Sequence, residues 1–211
     1  MNSEFTIHDI LNFEQRYRAA FINSIGGFKS LVLIGTKSKE GQSNLAIFNS
    51  FFHVGASPPL FGFIVRPDSV ERHTLSNILE TGVMTINHVR EDFFKEAHQT
   101  SARYPMGISE FKAAKLTEEY KSDYFAPFVK ESAVKIAGEL KQQIVVTENG
   151  TTIILAQMKF VSLPENCLMP DGFVDLEKAG TITCSGLDSY HKTEKLARLS
   201  YAKIDKLPDE F

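Results

Sequence analysis

The chain has 211 residues, 43% of them hydrophobic and 23% charged, with a net charge of −3, which is one globular domain's worth of material with ample apolar residues for a core. So small a net charge excludes the concentrated basic field that nucleic acid or anionic lipid requires. Two cysteines, Cys167 and Cys184, lack metal-ligand spacing and are too few for a disulfide scaffold, so free thiols in a reducing compartment are expected.

The first residues carry acids and no apolar signal-like stretch, and no apolar run approaches the roughly 20 residues of a membrane span. The expectation is a cytoplasmic protein with no membrane or nucleic-acid partner. Seventeen phenylalanines, mostly in short runs and with no tryptophan, favour a strand-rich core.

In chain order, apolar residues recur at helical spacing from Ile7 to Ile25, with Thr6 as N-cap and Gly26-Gly27 as the stop. Phe28 to Thr36 reads as a strand centred on Leu31-Val-Leu-Ile34, and Lys37 to Ser43 as a polar loop. Asn44 to Val54 reads as one aromatic-rich strand interrupted by Asn49 and Ser50, followed by a turn at Pro58-Pro59 and a strand over Leu60–Val65. Polar groups in so apolar a strand need partners, because an unpaired buried amide or hydroxyl costs roughly 1–3 kcal/mol. Those partners are either neighbouring backbone or a polar ligand.

Arg66-Pro-Asp-Ser69 reads as a turn that launches a helix through Thr74–Glu80. A strand is expected over Val83–Val89, a charged helix over Glu91–Gln99, irregular chain over Ser101–Ser109 and a helical turn from Ser109. Ala133–Thr147 and Thr151–Leu163 are β-prone runs joined by Glu148-Asn149-Gly150, a signature of a hairpin with a type I′ turn. Beyond Pro164 the pattern weakens to a short helix at Asp175–Ala179 and strand-like pieces at Gly186–His191 and Leu199–Ile204. Five or six strands, joined directly rather than by crossover helices, make a mainly β fold with inserted helices, an antiparallel barrel over a single domain of residues 1–211.

No P-loop, dinucleotide fingerprint, nucleophile elbow or zincin motif is present, and the six histidines do not pair at ligand spacing. Neither catalytic acid–base residues nor metal ligands are assigned. What remains is small polar residues at strand ends and turns: Asn44, Asn49, Ser50, Ser57, Arg66, Thr74, Ser101 and Ser109. They suit either the grip on a polar ring and a phosphate, with the helix start near Thr74 favouring an anion, or ordinary turn and cap chemistry. His53 and His191 are open either to contact with a substrate or to a structural role.

Several runs, in this order and spacing, resemble the flavin reductase-like family with its FMN-binding split barrel. They are Lys29–Thr36, Ser43–Val54, Ser57–Phe63, Arg66-Pro67, His73–Ile78, Gly82–Asn87, Thr100–Ala102 and Ser109–Phe111. The resemblance covers about residues 20 to 165. It implies a homodimer of antiparallel Greek-key barrels, each holding FMN near the dimer interface, with an N-terminal helix and a C-terminal extension. It places the flavin ring against Asn44, Leu45, Ala46, Ile47, Phe48, Asn49 and Ser50, held largely by backbone groups. The phosphate falls to Arg66, Thr74 and Ser101, with Ala102 beside them, and the Ser101–Phe111 loop closes over the cofactor, from the partner chain in some arrangements. The implied activity is an NAD(P)H-dependent flavin reductase, with NADH or NADPH giving hydride to FMN and electrons passing to a flavin or small-molecule acceptor. A non-catalytic FMN electron carrier and a flavin-free binding module are the alternatives.

Overall fold

Thr6 begins the first helix through a capping box: its N–H donates to Asp9 Oδ2 at 2.8 Å and its hydroxyl accepts the Asp9 N–H at 3.3 Å. The computed structural model describes residues 2–67, 73–105 and 107–211. The single helix expected over Ile7–Ile25 is two, α1 (Ile7–Asn12) and α2 (Gln15–Ile25). Phe13 leaves helical geometry at φ −60° and ψ 145°, and the Glu14 carboxylate recaps the chain by accepting the Arg16 and Tyr17 N–H groups at 2.8 and 3.1 Å. Hydrophobic spacing runs unbroken through the kink and so conceals it.

The elements that follow are β1 (Lys29–Ser30), β2 (Val32–Lys37), β3 (Ser43–Phe48), β4 (Phe52–Ala56), β5 (Pro59–Val65), α3 (His73–Thr81) and β6 (Val83–His88). Then come α4 (Phe94–Gln99), α5 (Glu110–Ala113), β7 (Glu118–Glu119), β8 (Phe128–Val129), β9 (Lys135–Val146), β10 (Thr151–Ser162), β11 (Thr183–Ser185) and β12 (Ser189–His191). The turn expected at Arg66–Ser69 lies partly outside the described residues.

Seven strands, more than the five or six expected, form one antiparallel sheet in the order β3-β2-β6-β9-β10-β5-β4. The extra strand arises because Asn44–Val54 is not continuous. It breaks at Asn49–Phe51, where the chain passes from one edge strand to the other. The Ser50 hydroxyl stitches that passage to β5, donating to the Ile64 carbonyl and accepting the Ile64 N–H, both at 3.0 Å. The sheet therefore curls until its two edges are joined by a three-residue link, which is the mainly β, antiparallel split barrel.

Three local expectations are corrected. The β9–β10 connection is a four-residue loop, 147–150, in which Gly150 alone has positive φ (71°) and its N–H reaches the Val146 carbonyl at 2.8 Å; a type I′ turn needs two such residues. The fourth helix starts at Phe94 rather than Glu91, since residues 90–93 form a turn closed by Phe93 N–H to Arg90 O. Asp175–Ala179 is a turn with one bond, Ala179 N–H to Asp175 O at 3.2 Å, and the Asp175 side chain caps Lys178 N–H instead of starting a helix.

Both faces of β2 are covered, which accounts for its continuous apolar run. Val32 and Ile34 face the barrel interior with Phe61, Phe63, Met84, Ile86 and Ile154, while Leu33 faces an outer layer with Leu45, Phe93, Phe111 and Val129. Gly35, between them, is a point of close approach: a Cβ there would lie 2.3 Å from the Pro127 carbonyl oxygen and 2.5 Å from Thr85 Oγ1. Among the described residues no helix is long and apolar enough to cross a membrane.

Candidate functional site

Because β3 is an edge strand, one row of its backbone groups faces away from β2. A cleft of about 1170 Å³ opens beside it, walled by the α2–β1 junction, the turn after α4, and the β11–β12 hairpin. That exceeds the roughly 300–1,000 Å³ of a typical small-molecule pocket.

Asn44, Ala46, Ile47, Phe48, Asn49, Ser50, Arg66, Thr74, Ser101 and Ala102 all line this cleft. Leu45 does not. Its side chain is fully buried in the outer core, and its N–H, on the outward edge, is taken by Glu110 Oε2 at 3.0 Å. Ile47, two residues along, presents its own N–H on that same edge.

At one end of β3 a buried amide–hydroxyl network ties the strand to α3. Asn44 Nδ2 donates to Thr74 Oγ1 at 2.9 Å and to Thr36 Oγ1 at 3.3 Å, and Asn77 Nδ2 donates to Thr36 Oγ1 at 3.1 Å. Thr74 is the second residue of α3, its hydroxyl oxygen accepting from Asn44, and not the cap of that helix. Glu110 lies beside it, buried, and burial pushes its carboxyl above the usual carboxylate range; the Leu45 N–H and the charge of His73 oppose that shift.

At the other end, Asn49 Nδ2 and Lys29 Nζ both donate to the Gly186 carbonyl, at 3.0 and 3.2 Å. Neighbouring backbone therefore supplies partners for Asn49 and Ser50. Tyr190 and His98 stand on the same wall, Tyr190 OH hydrogen-bonded to His98 Nδ1. Burial, then the nearby Cys184 and Asp188, pushes the Tyr190 phenol up to about 12.

Ser101 and Ala102 spend their N–H groups on the His98 and Gln99 carbonyls, so Ser101 has its hydroxyl to offer the cleft. Arg66 and Arg103 line it too, and neither pairs with a carboxylate among the described residues. An apolar floor, an outward strand edge and two guanidiniums suit a planar, polar, anionic ligand.

His53 and His191 lie off the cleft: His53 is exposed on β4, and His191 Nε2 sits 2.9 Å from Ser185 Oγ. Ser57 and Ser109 are also absent from its lining, Ser109 Oγ bonding Ser43 Oγ at 2.8 Å. Sequence reasoning gave no role to Lys29, His98, Arg103, Glu110 or Tyr190. Of these, Lys29 and Glu110 fall inside the resembling runs Lys29–Thr36 and Ser109–Phe111, and Arg103 inside the Ser101–Phe111 loop, whereas nothing marked His98 or Tyr190 for the cleft.

The model of the flavin reductase-like domain matches residues 25–172, and the chain belongs to that family. It is 47% identical to a split-barrel-domain protein from Shewanella frigidimarina NCIMB 400 assigned as a flavin reductase, with a TM-score of 0.92 over 95% of this chain and 100% of that one. Component B of nitrilotriacetate monooxygenase from Bacillus cereus has the same fold at 22% identity, with a TM-score of 0.82 over 94% and 100%. So does flavoredoxin of Desulfovibrio vulgaris (Miyazaki F), at 21% identity and a TM-score of 0.69 over 84% and 91%.

Proposed function

We propose that this protein is an NAD(P)H-dependent flavin reductase that binds FMN in the cleft beside β3 and works as a homodimer. The observation that carries the reading is β3's open edge and the guanidiniums of Arg66 and Arg103 lining one cleft. The donor set fits FMN: strand backbone from Ala46 to Ser50 for the ring, and Arg66, Arg103 and the Ser101 hydroxyl for the phosphate. Asn44 and Thr74 line the same end of the cleft and hold the strand in place, Asn44 Nδ2 donating to Thr74 Oγ1, which leaves the Thr74 O–H and Asn44 Oδ1 for the ligand.

Bound FMN would supply hydride acceptance from a nicotinamide and onward electron transfer. The protein's share is to bind, orient and shield. Glu110 locks α5 onto β3, and Ser101 to Pro105 and Glu110 wall the cleft. The absence of an assigned acid–base pair agrees with chemistry carried by the cofactor.

The cleft is large enough for a nicotinamide or a small acceptor beside the flavin. Titration of flavin-free protein with FMN, FAD and riboflavin, followed by melting temperature, tests the cofactor assignment. A ligand that binds only the native state must raise the melting temperature, and FMN should raise it most. Equal shifts with riboflavin would remove the phosphate from the reading.

A further inference from the structure

Residues 198–211 fold back on themselves as a narrow hairpin, carried by the stretch 192–197. Leu199 bridges Glu210 and Lys203 bridges Lys206. Ser200 N–H donates to Asp209 O at 2.9 Å, and Phe211 N–H to Arg198 O at 3.0 Å. The base of this arm is clamped to the body. The Arg198 guanidinium pairs with Asp171 at 2.6 Å and lies 4.2 and 4.7 Å from the ring centres of Phe173 and Phe211, and Lys195 pairs with the buried Asp175 at 3.2 Å.

Beyond the clamp the arm is bare of cover from the described residues. Tyr201, Ile204 and Leu207 there, and Leu196 between the two clamping side chains, are each at least 87% exposed. A lone two-stranded hairpin is marginal in water, and an apolar cluster of this size on a soluble surface marks an interaction site.

A second uncovered apolar surface lies on the same chain. Neither α1 nor α2 has a buried residue. Phe5, Phe13 and Phe21 pack edge to face with one another, at 5.4 to 5.5 Å between centroids, and leave Ile7, Leu11, Ile22 and Ile25 exposed. This helical face and the arm are both bare in one protomer, so the clamped arm does not reach its own helices. The family match at residues 25–172 excludes the arm and all but the last residue of α2.

We propose that the arm docks on a second copy of this chain, where the apolar face of α1–α2 receives it. Two-fold symmetry gives each arm a receptor and each helical face a cover, so one operation satisfies four surfaces. At roughly 150 Å² for each large apolar side chain, Leu196, Tyr201, Ile204 and Leu207 offer on the order of 600 Å², the greater part of the roughly 800 Å² per partner of a standard interface. The inference rests on the homodimer reading and adds to it the device that holds the copies together.

The test is sedimentation velocity of the full chain over a wide concentration range. The proteins compared are wild type, Ile204→Glu/Leu207→Glu and Ile25→Glu. None of these side chains is buried, so all three should keep the same far-ultraviolet circular dichroism. The expected result is a wild-type dimer whose dissociation constant rises about 100-fold or more in each variant, since each change puts a charge into an apolar contact. A wild type that stays monomeric overturns the dimer and the arm together. A dimer that survives both variants overturns the arm and leaves the dimer standing. Loss in the arm variant alone overturns the helical face as its receptor.

Discussion

The Glu110 carboxylate accepts the Leu45 backbone N–H at 3.0 Å, joining the end of the 101–111 segment to the strand that floors the cleft. Both residues are buried, so the bond has no ready substitute in water. Glu110→Ala should cost about 1–3 kcal/mol, the penalty of an orphaned buried donor, whereas Glu110→Gln keeps an acceptor and should cost less. Urea unfolding of the two variants measures the difference. Equal losses would mean that the carboxylate matters for its charge and not for this bond.

Arg66 is exposed at the end of β5 and lines the cleft. Arg66→Ala should leave stability nearly unchanged and weaken FMN roughly tenfold to a hundredfold, the worth of a charge-assisted hydrogen bond, with little effect on riboflavin. Flavin fluorescence titration reads both constants. Equal weakening of the two ligands would take Arg66 off the phosphate.

Gly35 is held by rigid neighbours. A Cβ there would meet the Pro127 carbonyl at 2.3 Å, and backbone cannot swing aside as a side-chain tip does. Gly35→Ala should therefore lose about 3 kcal/mol or more, at the upper end of overpacking penalties. Thermal melting checks it, with Gly27→Ala as a comparison in open space that carries only backbone strain (φ 81°).

His88 is half-buried at the end of β6, with Nδ1 3.3 Å from Thr181 Oγ1, and burial lowers its pKa from 6.5 to about 4. The unfolded chain therefore takes up a proton near pH 6.5 that the folded chain refuses until about pH 4. Stability is full above pH 6.5 and falls as the pH drops towards 4, by up to roughly 3 kcal/mol. Glu110, whose carboxyl is raised, works in the opposite sense as its burden of buried charge is relieved by acid. Denaturant unfolding of wild type and His88→Gln at stepped pH isolates the histidine. The variant should show a flatter acid limb, and parallel curves would exclude His88 as the cause.

The barrel was legible because its signals are local: β-branched runs either side of Asn149-Gly150, and the apolar Leu31–Ile34 centre. What lay hidden were features set by contacts distant in sequence. The break at Asn49–Phe51 depends on Ser50 meeting Ile64 across the barrel mouth. Glu110 looks like a solvated acid in a four-residue helix until the fold sets it against Leu45, 65 residues away. Lys29 and Tyr190 join the cleft only because β1 pairs with β11, more than 150 residues on. The Glu14 cap escaped notice because Glu is an uncommon residue for that position.

The most direct test of the proposed function is an anaerobic visible absorption titration of the FMN-loaded protein with NADH and then NADPH. The expected result is a bound-flavin spectrum that bleaches with one of the two donors, faster than free FMN does without protein. Bound flavin that neither donor bleaches would contradict the reductase and leave an electron carrier. Protein that retains no FMN at all would contradict the cofactor site beside β3.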